Sequence, residues 1–434
     1  MCKEHLLIVA DDVTGAADSA ARCRQAGLSA QIDLVAETAP RTGKLAADVV
    51  AFSTDSRFLP PQSAAAQVRR LVTTLVADYP ATAIQWYKKI DSTLRGNIGS
   101  ELAAMLPLVT PIGNRAHAII CPAFPAQART LVGGYLAYAQ LPPQTVHLPT
   151  LLRAQCDLTV GTLPLSTIRA GADAVCGALQ ELHSKGITLI VADGESEADL
   201  ASLCEGASTT LPHALFCGSA GLVGVLAALV AKQAKNVSSA AQPQSIGTGF
   251  NAKPNDRPLL SVVGSGSIMA QRQLAYLRNK GAALMLELDP AQSRDAIRES
   301  VQARIVNVLA QPDVEQPSAI VVHLPPPTVD VQLEGAQARQ SAALLTEAAA
   351  IVIEAMALTA SPPIRLLVVG GDTAVHLLHR LGVGRLWVRE EILPGMPLTE
   401  GNDQQGTTFQ IILKAGNHGD EGTLATLLDR VQAM

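Results

Sequence analysis

Between Tyr87 and Gly99 the chain reads Lys88-Lys89-Ile90-Asp91-Ser92-Thr93-Leu94-Arg95-Gly96-Asn97-Ile98. Ammonium, guanidinium, carboxylate, hydroxyl and amide groups fall there within one turn, the set needed to hold a small polyhydroxy acid. The run follows Ile84-Gln85-Trp86-Tyr87, which reads as a strand, and precedes Ser100-Glu101-Leu102, which reads as the start of a helix. Side chains alternate faces along an extended strand, so Lys89 and Asp91 are expected to point the same way. A strand-to-helix handover lies at the edge of a sheet, where open α/β folds bind ligands. The competing reading of this segment alone is a turn with a helix cap and a surface ion pair.

Three companion clusters shift that balance. The apolar run Leu6–Ala10 ends in Asp11-Asp12-Val13-Thr14-Gly15, and Val49–Ser53 ends in Thr54-Asp55-Ser56-Arg57. Ala118–Cys121 ends in Pro122-Ala123-Phe124-Pro125-Ala126-Gln127-Ala128-Arg129-Thr130. Asp, Ser, Thr and Gly fill ordinary turns for local reasons. Clusters at the same end of neighbouring strands, however, would bring Asp12, Arg57, Lys89, Asp91 and Arg129 to one crevice. Arginine clamps a carboxylate in bidentate fashion. Aspartates accept hydrogen bonds from sugar hydroxyls, and one can serve as a general base. A favourable charge at a helix N-terminus explains one of Asp11 and Asp12 better than both. The pair fails the phosphatase pattern Asp-x-Asp-x-Thr, because its aspartates are adjacent.

The second half of the chain uses other residues. Val263-Gly264-Ser265-Gly266-Ser267 and Val369-Gly370-Gly371-Asp372-Thr373 each leave a strand and enter a helix, and Lys414-Ala415-Gly416-Asn417-His418-Gly419-Asp420 follows another strand. Small residues let backbone N–H groups approach an anion, and helix N-termini favour phosphate. The three turns together suggest a nucleotide phosphate site. No Gly-x-x-x-x-Gly-Lys-Ser/Thr is present, so the site is not a P-loop. Gly264-Ser265-Gly266 lacks the third glycine of the dinucleotide fingerprint, and Gly218-Ser219-Ala220-Gly221-Leu222-Val223-Gly224 has the wrong spacing. The latter is read as close helix-on-sheet packing.

The elements that must position these groups follow from the rest of the chain. Short apolar runs alternate with Ala-rich segments of helical period, which argues for an α/β architecture with largely parallel sheets. Strands are expected at Leu6–Ala10, Ala30–Val35, Val49–Ser53, Ile84–Ile90, Ala118–Cys121, Thr188–Ala192 and Ala214–Cys217. In the second half they are expected at Leu259–Val263, Leu284–Leu288, Ala319–Leu324, Leu366–Val369 and Phe409–Leu413. Thr14 stands where the N-cap of the first helix belongs, and Gly27 where that helix ends. At 434 residues two domains are expected: an acid-sugar-binding domain over 1–235, a polar linker over 236–257 and a nucleotide-binding domain over 258–434. Only 3% of residues are aromatic against 48% hydrophobic, so the cores must be built from Ala, Leu, Val and Ile.

Composition also narrows the function. The net charge of -5 and the lack of a basic block argue against a phosphate-tracking nucleic-acid surface. The 7 cysteines are scattered without a Cys-x-x-Cys pair, which fits reduced thiols in a soluble, cytoplasmic protein better than a disulfide framework or zinc site. No apolar run approaches the roughly 20 residues of a membrane span.

Taken in order from residue 8 to beyond 415, these motifs resemble the four-carbon acid sugar kinase family, whose members include D-threonate, D-erythronate and 3-oxo-tetronate kinases. The carrying segments are Ile8 to Asp18, Asp55-Ser56-Arg57, Lys88 to Asn97, Pro122-Ala123-Phe124-Pro125 and Gly218-Ser219-Ala220-Gly221. They continue through Gly264 to Ser267, Gly370 to Thr373, Leu393-Pro394-Gly395-Met396-Pro397 and Lys414 to Asn417. The resemblance implies an ATP-dependent kinase with two α/β domains, an acid sugar in the first, ATP with Mg2+ in the second, and transfer across an interdomain cleft. It implies that Asp12, Arg57, Lys88, Lys89, Ile90, Asp91 and Ser92 contact the acid sugar. Ser265, Gly370, Gly371, Asp372, Thr373 and Gly416 would contact ATP, with Gly266, Ser267 and Asn417 completing those turns. Catalysis would fall to Asp12, Asp91 and Lys89: either aspartate orients the attacking hydroxyl and Lys89 offsets phosphoryl charge, while Arg57 holds the carboxylate. Metal ligands are left open beyond a role for Asp372. One departure is His418, where the family has an aromatic, usually phenylalanine; an imidazole can still pack on a base or ribose. The wording around Arg57 and Lys89 to Arg95 is closer to the threonate and erythronate kinases than to the 3-oxo-tetronate branch. The rivals are a sugar-acid dehydrogenase, which needs a nicotinamide site, and a sugar-acid sensor, which needs no phosphate site. A homodimer is the default expectation.

Overall fold

Near-continuous apolar runs mark strands covered on both faces, and the chain folds accordingly into parallel sheets flanked by helices. The computed structural model describes residues 5–34, 45–79, 84–138, 142, 144–237, 258–281, 283–309, 317–326, 336–357 and 363–433. The chain divides into two compact units, Met1–Ala241 and Gln242–Met434. Residues 236 and 237, expected in a linker, close the helix Ala220–Val237. The rest of that linker, 238–257, lies outside the described residues.

The first unit contains β1 (His5–Ala10), β2 (Ala30–Asp33), β3 (Val49–Ser53), β4 (Ile84–Lys89), β5 (Ala118–Cys121), β6 (Thr130–Val132), β7 (Tyr135–Ala137), β8 (Val160–Leu163), β9 (Leu189–Ala192) and β10 (Leu215–Gly218). Its main sheet runs β2-β3-β1-β4-β10-β5-β9-β8, every pairing parallel. The chain leaves β1 for β2, comes back to insert β3 between the two, and then lays β4 on the other side of β1. The order therefore reverses between β1 and β4, the switch point where such sheets open a crevice at their carboxyl ends. The small hairpin of β6 and β7 is antiparallel. Its turn is pinned by Asp193, which accepts from the Gly133 and Gly134 N–H groups at 2.8 and 2.9 Å.

The first helix, Val13–Gln25, is capped by Asp12 and not by Thr14 as the sequence suggested. Asp12 has extended backbone (φ -147°) and its carboxylate reaches the Gly15 N–H at 2.7 Å, the geometry an N-cap requires. The Thr14 hydroxyl instead donates to Asp12 at 2.6 Å. At the other end Gly27, at φ +91°, takes the left-handed turn that leaves the helix. The Gly218 segment packs closely: a Cβ on Gly218 would lie 2.2 Å from the Cys121 carbonyl oxygen, and one on Gly221 2.8 Å from that of Ala123.

The second unit contains β11 (Leu259–Val263), β12 (Ala283–Glu287), β13 (Ala319–His323), β14 (Ile364–Val369), β15 (Arg385–Leu393), β16 (Met396–Asn402) and β17 (Thr408–Lys414). The order is β12-β13-β11-β14-β17-β16-β15. Pairings from β12 to β17 are parallel, and β15 and β16 form an antiparallel meander. Here too the order reverses, between β11 and β14. Leu259, Val263, Leu274, Leu277, Leu367, Ile412, Leu427 and Val431 contribute to an aliphatic core. The six described cysteines are free, and burial pushes the thiols of Cys121 and Cys217 up to about 12, so neither is a nucleophile near neutral pH. No helix among the described residues is long and apolar enough to cross a membrane.

Candidate active site

At the β1–β4 switch point the side chains expected to do chemistry form a dense charged cluster. Arg57 donates from Nε and Nη2 to the two oxygens of Asp11, at 2.9 and 2.8 Å, and from Nη1 to Asp12 at 2.7 Å. The backbone enforces this: the Asp11 carbonyl accepts the N–H groups of Ser56 and Arg57, and the Ala10 carbonyl that of Thr54. Three N–H groups of Arg57 are thus committed to the protein's own carboxylates. The guanidinium aligns Asp11 and Asp12, and its two remaining N–H groups are what is left to meet a substrate carboxylate, the role the resemblance implied.

Burial alone would raise the Asp12 carboxyl, but the charges of Arg57 and Lys89, with the Thr14 and Gly15 hydrogen bonds, hold it below the usual carboxylate range. Lys89, at the end of β4, donates to the Ile90 carbonyl at 2.9 Å. It is Asp12 that feels its charge. Gly15 makes room for this arrangement, since a Cβ there would lie 2.6 Å from Asp12 Oδ1 and 2.9 Å from Lys89 Nζ.

Asp91 lies beyond the end of β4, so strand alternation no longer fixes its direction. Its partners are Arg95, whose Nε and Nη2 donate at 2.6 and 3.1 Å, and the Thr93 hydroxyl. Against burial, Arg57 and Arg95 hold this carboxyl far below its usual range. Leu94, in the left-handed region at φ +65°, turns the chain so that Arg95 can reach back. Ser92 accepts a hydrogen bond from Arg129 Nη1. Arg129 forms no ion pair among the described residues. Burial draws its guanidinium below the usual range, although Asp91 and Asp18 act in the other direction.

Two expected contacts take other positions. The Lys88 ammonium points to the opposite face of β4 from Lys89 and is 0% exposed, paired at 2.7 Å with Glu101 of the helix Ile98–Val109. Glu101 also accepts from the Ser56 hydroxyl at 2.5 Å, and Ser56 and Thr54 lie 2.7 Å apart. This buried network ties β1, β3, β4 and that helix together, so Lys88 supports the crevice from behind. Burial weighs on its ammonium, but Glu101 more than offsets that and raises it above the usual range. The Ile90 side chain is buried, and its N–H donates to the Gly218 carbonyl at 3.0 Å. Sequence reasoning passed over Glu101 as a helix residue. The signal was an acidic residue in the first turn of a mainly apolar helix that follows the Lys88-Lys89 pair.

In the second unit the three glycine-rich turns converge at the β11–β14 switch point. The Gly264 N–H donates to the Val369 carbonyl, and the Gly370 N–H to the Lys414 carbonyl, both at 3.0 Å. A Cβ on Gly264 would lie 1.9 Å from Thr373 Oγ1, and one on Gly416 1.8 Å from Ser265 Oγ. Gly370, at φ +113°, passes 3.3 Å from the Ser265 nitrogen by the same measure. Only glycine fits these approaches. Ser267 caps the helix Ile268–Lys280 by accepting from the Ala270 N–H, and Gly370 begins the helix Gly371–Arg380. Ser265, Ser267, Gly370, Thr373 and Gly416 are thus brought together. Gly266 has open space where a Cβ would be, Gly371 and Asp372 occupy the first turn of their helix, and Asn417 is exposed in the turn after Gly416. Two helix N-termini beside a cradle of small residues form an anion site.

The comparisons with known proteins match this division. Residues 6–226 match a sugar-binding N-terminal domain family and residues 260–424 a nucleotide-binding C-terminal domain family. The chain is 32% identical to a D-threonate kinase of Cupriavidus necator, covering 96% of each chain. It is 26% identical to a D-erythronate kinase of Heliobacterium modesticaldum (98% of this chain, 96% of the relative), and 27% identical to a 3-oxo-tetronate kinase of Pseudomonas savastanoi with the same coverage. Among solved structures, a protein from Salmonella typhimurium LT2 superposes with a TM-score of 0.73 at 25% identity over 98% of each chain.

Proposed function

This chain belongs to the four-carbon acid sugar kinase family, and on that premise we propose that it transfers the γ-phosphoryl group of ATP to the 4-hydroxyl of D-threonate. D-erythronate is the neighbouring alternative. The observation that carries this reading is the cluster at the β1–β4 switch point. Two aligned aspartates, a lysine and an arginine with no ion pair among the described residues match the needs of a short polyol with one carboxylate.

Phosphoryl transfer through a loose transition state asks for positioning and charge neutralisation more than for a strong base. Asp12 fits that demand. Held ionised, it orients the attacking hydroxyl as a hydrogen-bond acceptor and receives the proton late. Lys89 beside it offsets the charge developing on the transferring group. Asp91 with Thr93 and Arg95 offers a second rigid acceptor set for the polyol. Arg129, which has no ion pair among the described residues, takes the substrate carboxylate in the role first expected of Arg57, while Ser92 fixes one of its donors. In the second unit the Gly264, Gly370 and Gly416 turns hold the ATP phosphates. Among the described residues no group of three or more His, Cys, Asp or Glu side chains is placed to hold a metal ion. Mg2+ would be bound chiefly by phosphate oxygens and water, with Asp372 the carboxylate at the turn. Such an ion would neutralise phosphate charge.

An assay of ADP release with D-threonate, D-erythronate and their 3-oxo form, each with ATP and Mg2+, tests the proposal. Turnover is expected with the first at a kcat/KM above the other two. Preference for the 3-oxo acid would move the chain to that branch, and no turnover with any of the three would reject the kinase reading.

A further inference from the structure

Lys414 ends β17 with its side chain 0% exposed, two residues before Gly416. Its ammonium donates to the Ala415 carbonyl at 3.0 Å, and no neighbouring charge among the described residues acts on it. That sets it apart from the other buried lysines. Lys88 has Glu101, and Lys89 has Asp12. A buried cation is costly unless an anion accompanies it. Here it lies where the three glycine-rich turns meet. Val369 is its direct neighbour in register, its own carbonyl accepts from Gly370, and the turn that follows it packs on Ser265.

Resting on the reading that this unit binds ATP, we propose that Lys414 is a positioning residue whose ammonium, from behind the Gly416 turn, supplies the countercharge for the nucleotide phosphates. In the protein without nucleotide the missing anion leaves the group easily deprotonated, and burial lowers it to about 7. Phosphate in front of the turn favours the charged form, so nucleotide binding draws a proton onto Lys414. The helix Gly371–Arg380 carries Asp372, His376, His379 and Arg380, the paired strand β14 carries Arg365, and His418 and Asp420 lie beyond the turn. None of them makes an ion pair with Lys414.

Calorimetric titration of the full chain with ATP and Mg2+ at pH 8, in buffers of different ionisation enthalpy, reads the proton directly. The wild type is expected to take up a proton on binding. Lys414→Met should bind ATP on the order of tenfold more weakly, bind adenosine unchanged, and lose the uptake. Lys414→Arg, charged at every pH used, should keep ATP affinity and also lose the uptake, and it carries the test if the Met variant does not fold. Uptake equal in wild type and variants, or absent from a wild type that binds ATP, overturns the inference. A wild type that binds no ATP overturns the nucleotide reading itself, a distinct result.

Discussion

Asp12 serves two ends at once, capping a helix and facing the crevice, and its ionisation ties them together. Asp12→Asn keeps a good cap but removes the negative acceptor. Turnover is expected to fall by about 10²–10⁴-fold with ATP binding retained. If Asp12→Asn and Asp91→Asn both keep near-normal turnover in the ADP-release assay, neither carries the reaction. Because Asp12 and Asp91 are held below the range of an unfolded carboxylate, about 3.9, the stability they contribute is complete above that pH. It is lost as pH falls through their depressed folded values. Urea midpoints should therefore decline below about pH 4, and less steeply in Asp91→Asn. Lys88 and Arg129 separate support from contact. Lys88→Met strands Glu101 in the interior and should cost about 3–5 kcal/mol in urea unfolding, with KM little changed. Arg129→Ala should leave the midpoint unmoved and raise KM for the sugar acid about ten- to a hundred-fold.

At the level of elements, each unit brings its candidate site residues together where the strand order reverses, because there two adjacent strands send their following helices to opposite faces and leave a gap. The gap at β11 and β14 is lined by glycine because side chains would fill it. Gly416→Ala would set a methyl against Ser265. It should abolish stabilisation by ATP in a thermal-shift measurement while the ligand-free protein still unfolds cooperatively. The strands carrying the clusters were legible in the sequence, since Leu6–Ala10, Val49–Ser53 and Leu259–Val263 are mainly apolar runs leading into turns of polar and small residues. The β6–β7 hairpin and the β15–β16 meander were not. The first strands are three residues long, and β15 reads Arg-Leu-Trp-Val-Arg-Glu-Glu-Ile-Leu, polar enough to pass for a loop. The cap of the first helix was misread by two residues, because Asp12 and Thr14 are both good capping types and only the backbone angle separates them.

For the molecule as a whole, a kinase must recognise two ligands, and each is expected to stabilise it by linkage. ATP with Mg2+ at about a hundred times its Kd should add about 2.7 kcal/mol, whereas NAD should add nothing. Stabilisation by NAD and not by ATP would favour the dehydrogenase reading. The sequence by itself determined the α/β class, the polyol-type clusters in one half and the phosphate-type turns in the other, because apolar runs, turn residues and glycine spacing are local properties of the chain. Only the tertiary structure decided which charges meet. It gave Arg57 to Asp11 and Asp12, Lys88 to Glu101, and Asp91 to Arg95, and left Arg129 and Lys414 without a carboxylate partner among the described residues. Those assignments depend on strand order and side-chain direction across residues up to 46 positions apart. No spacing rule reaches that far, since the partner of a buried charge is chosen by what the fold brings within 3 Å of it.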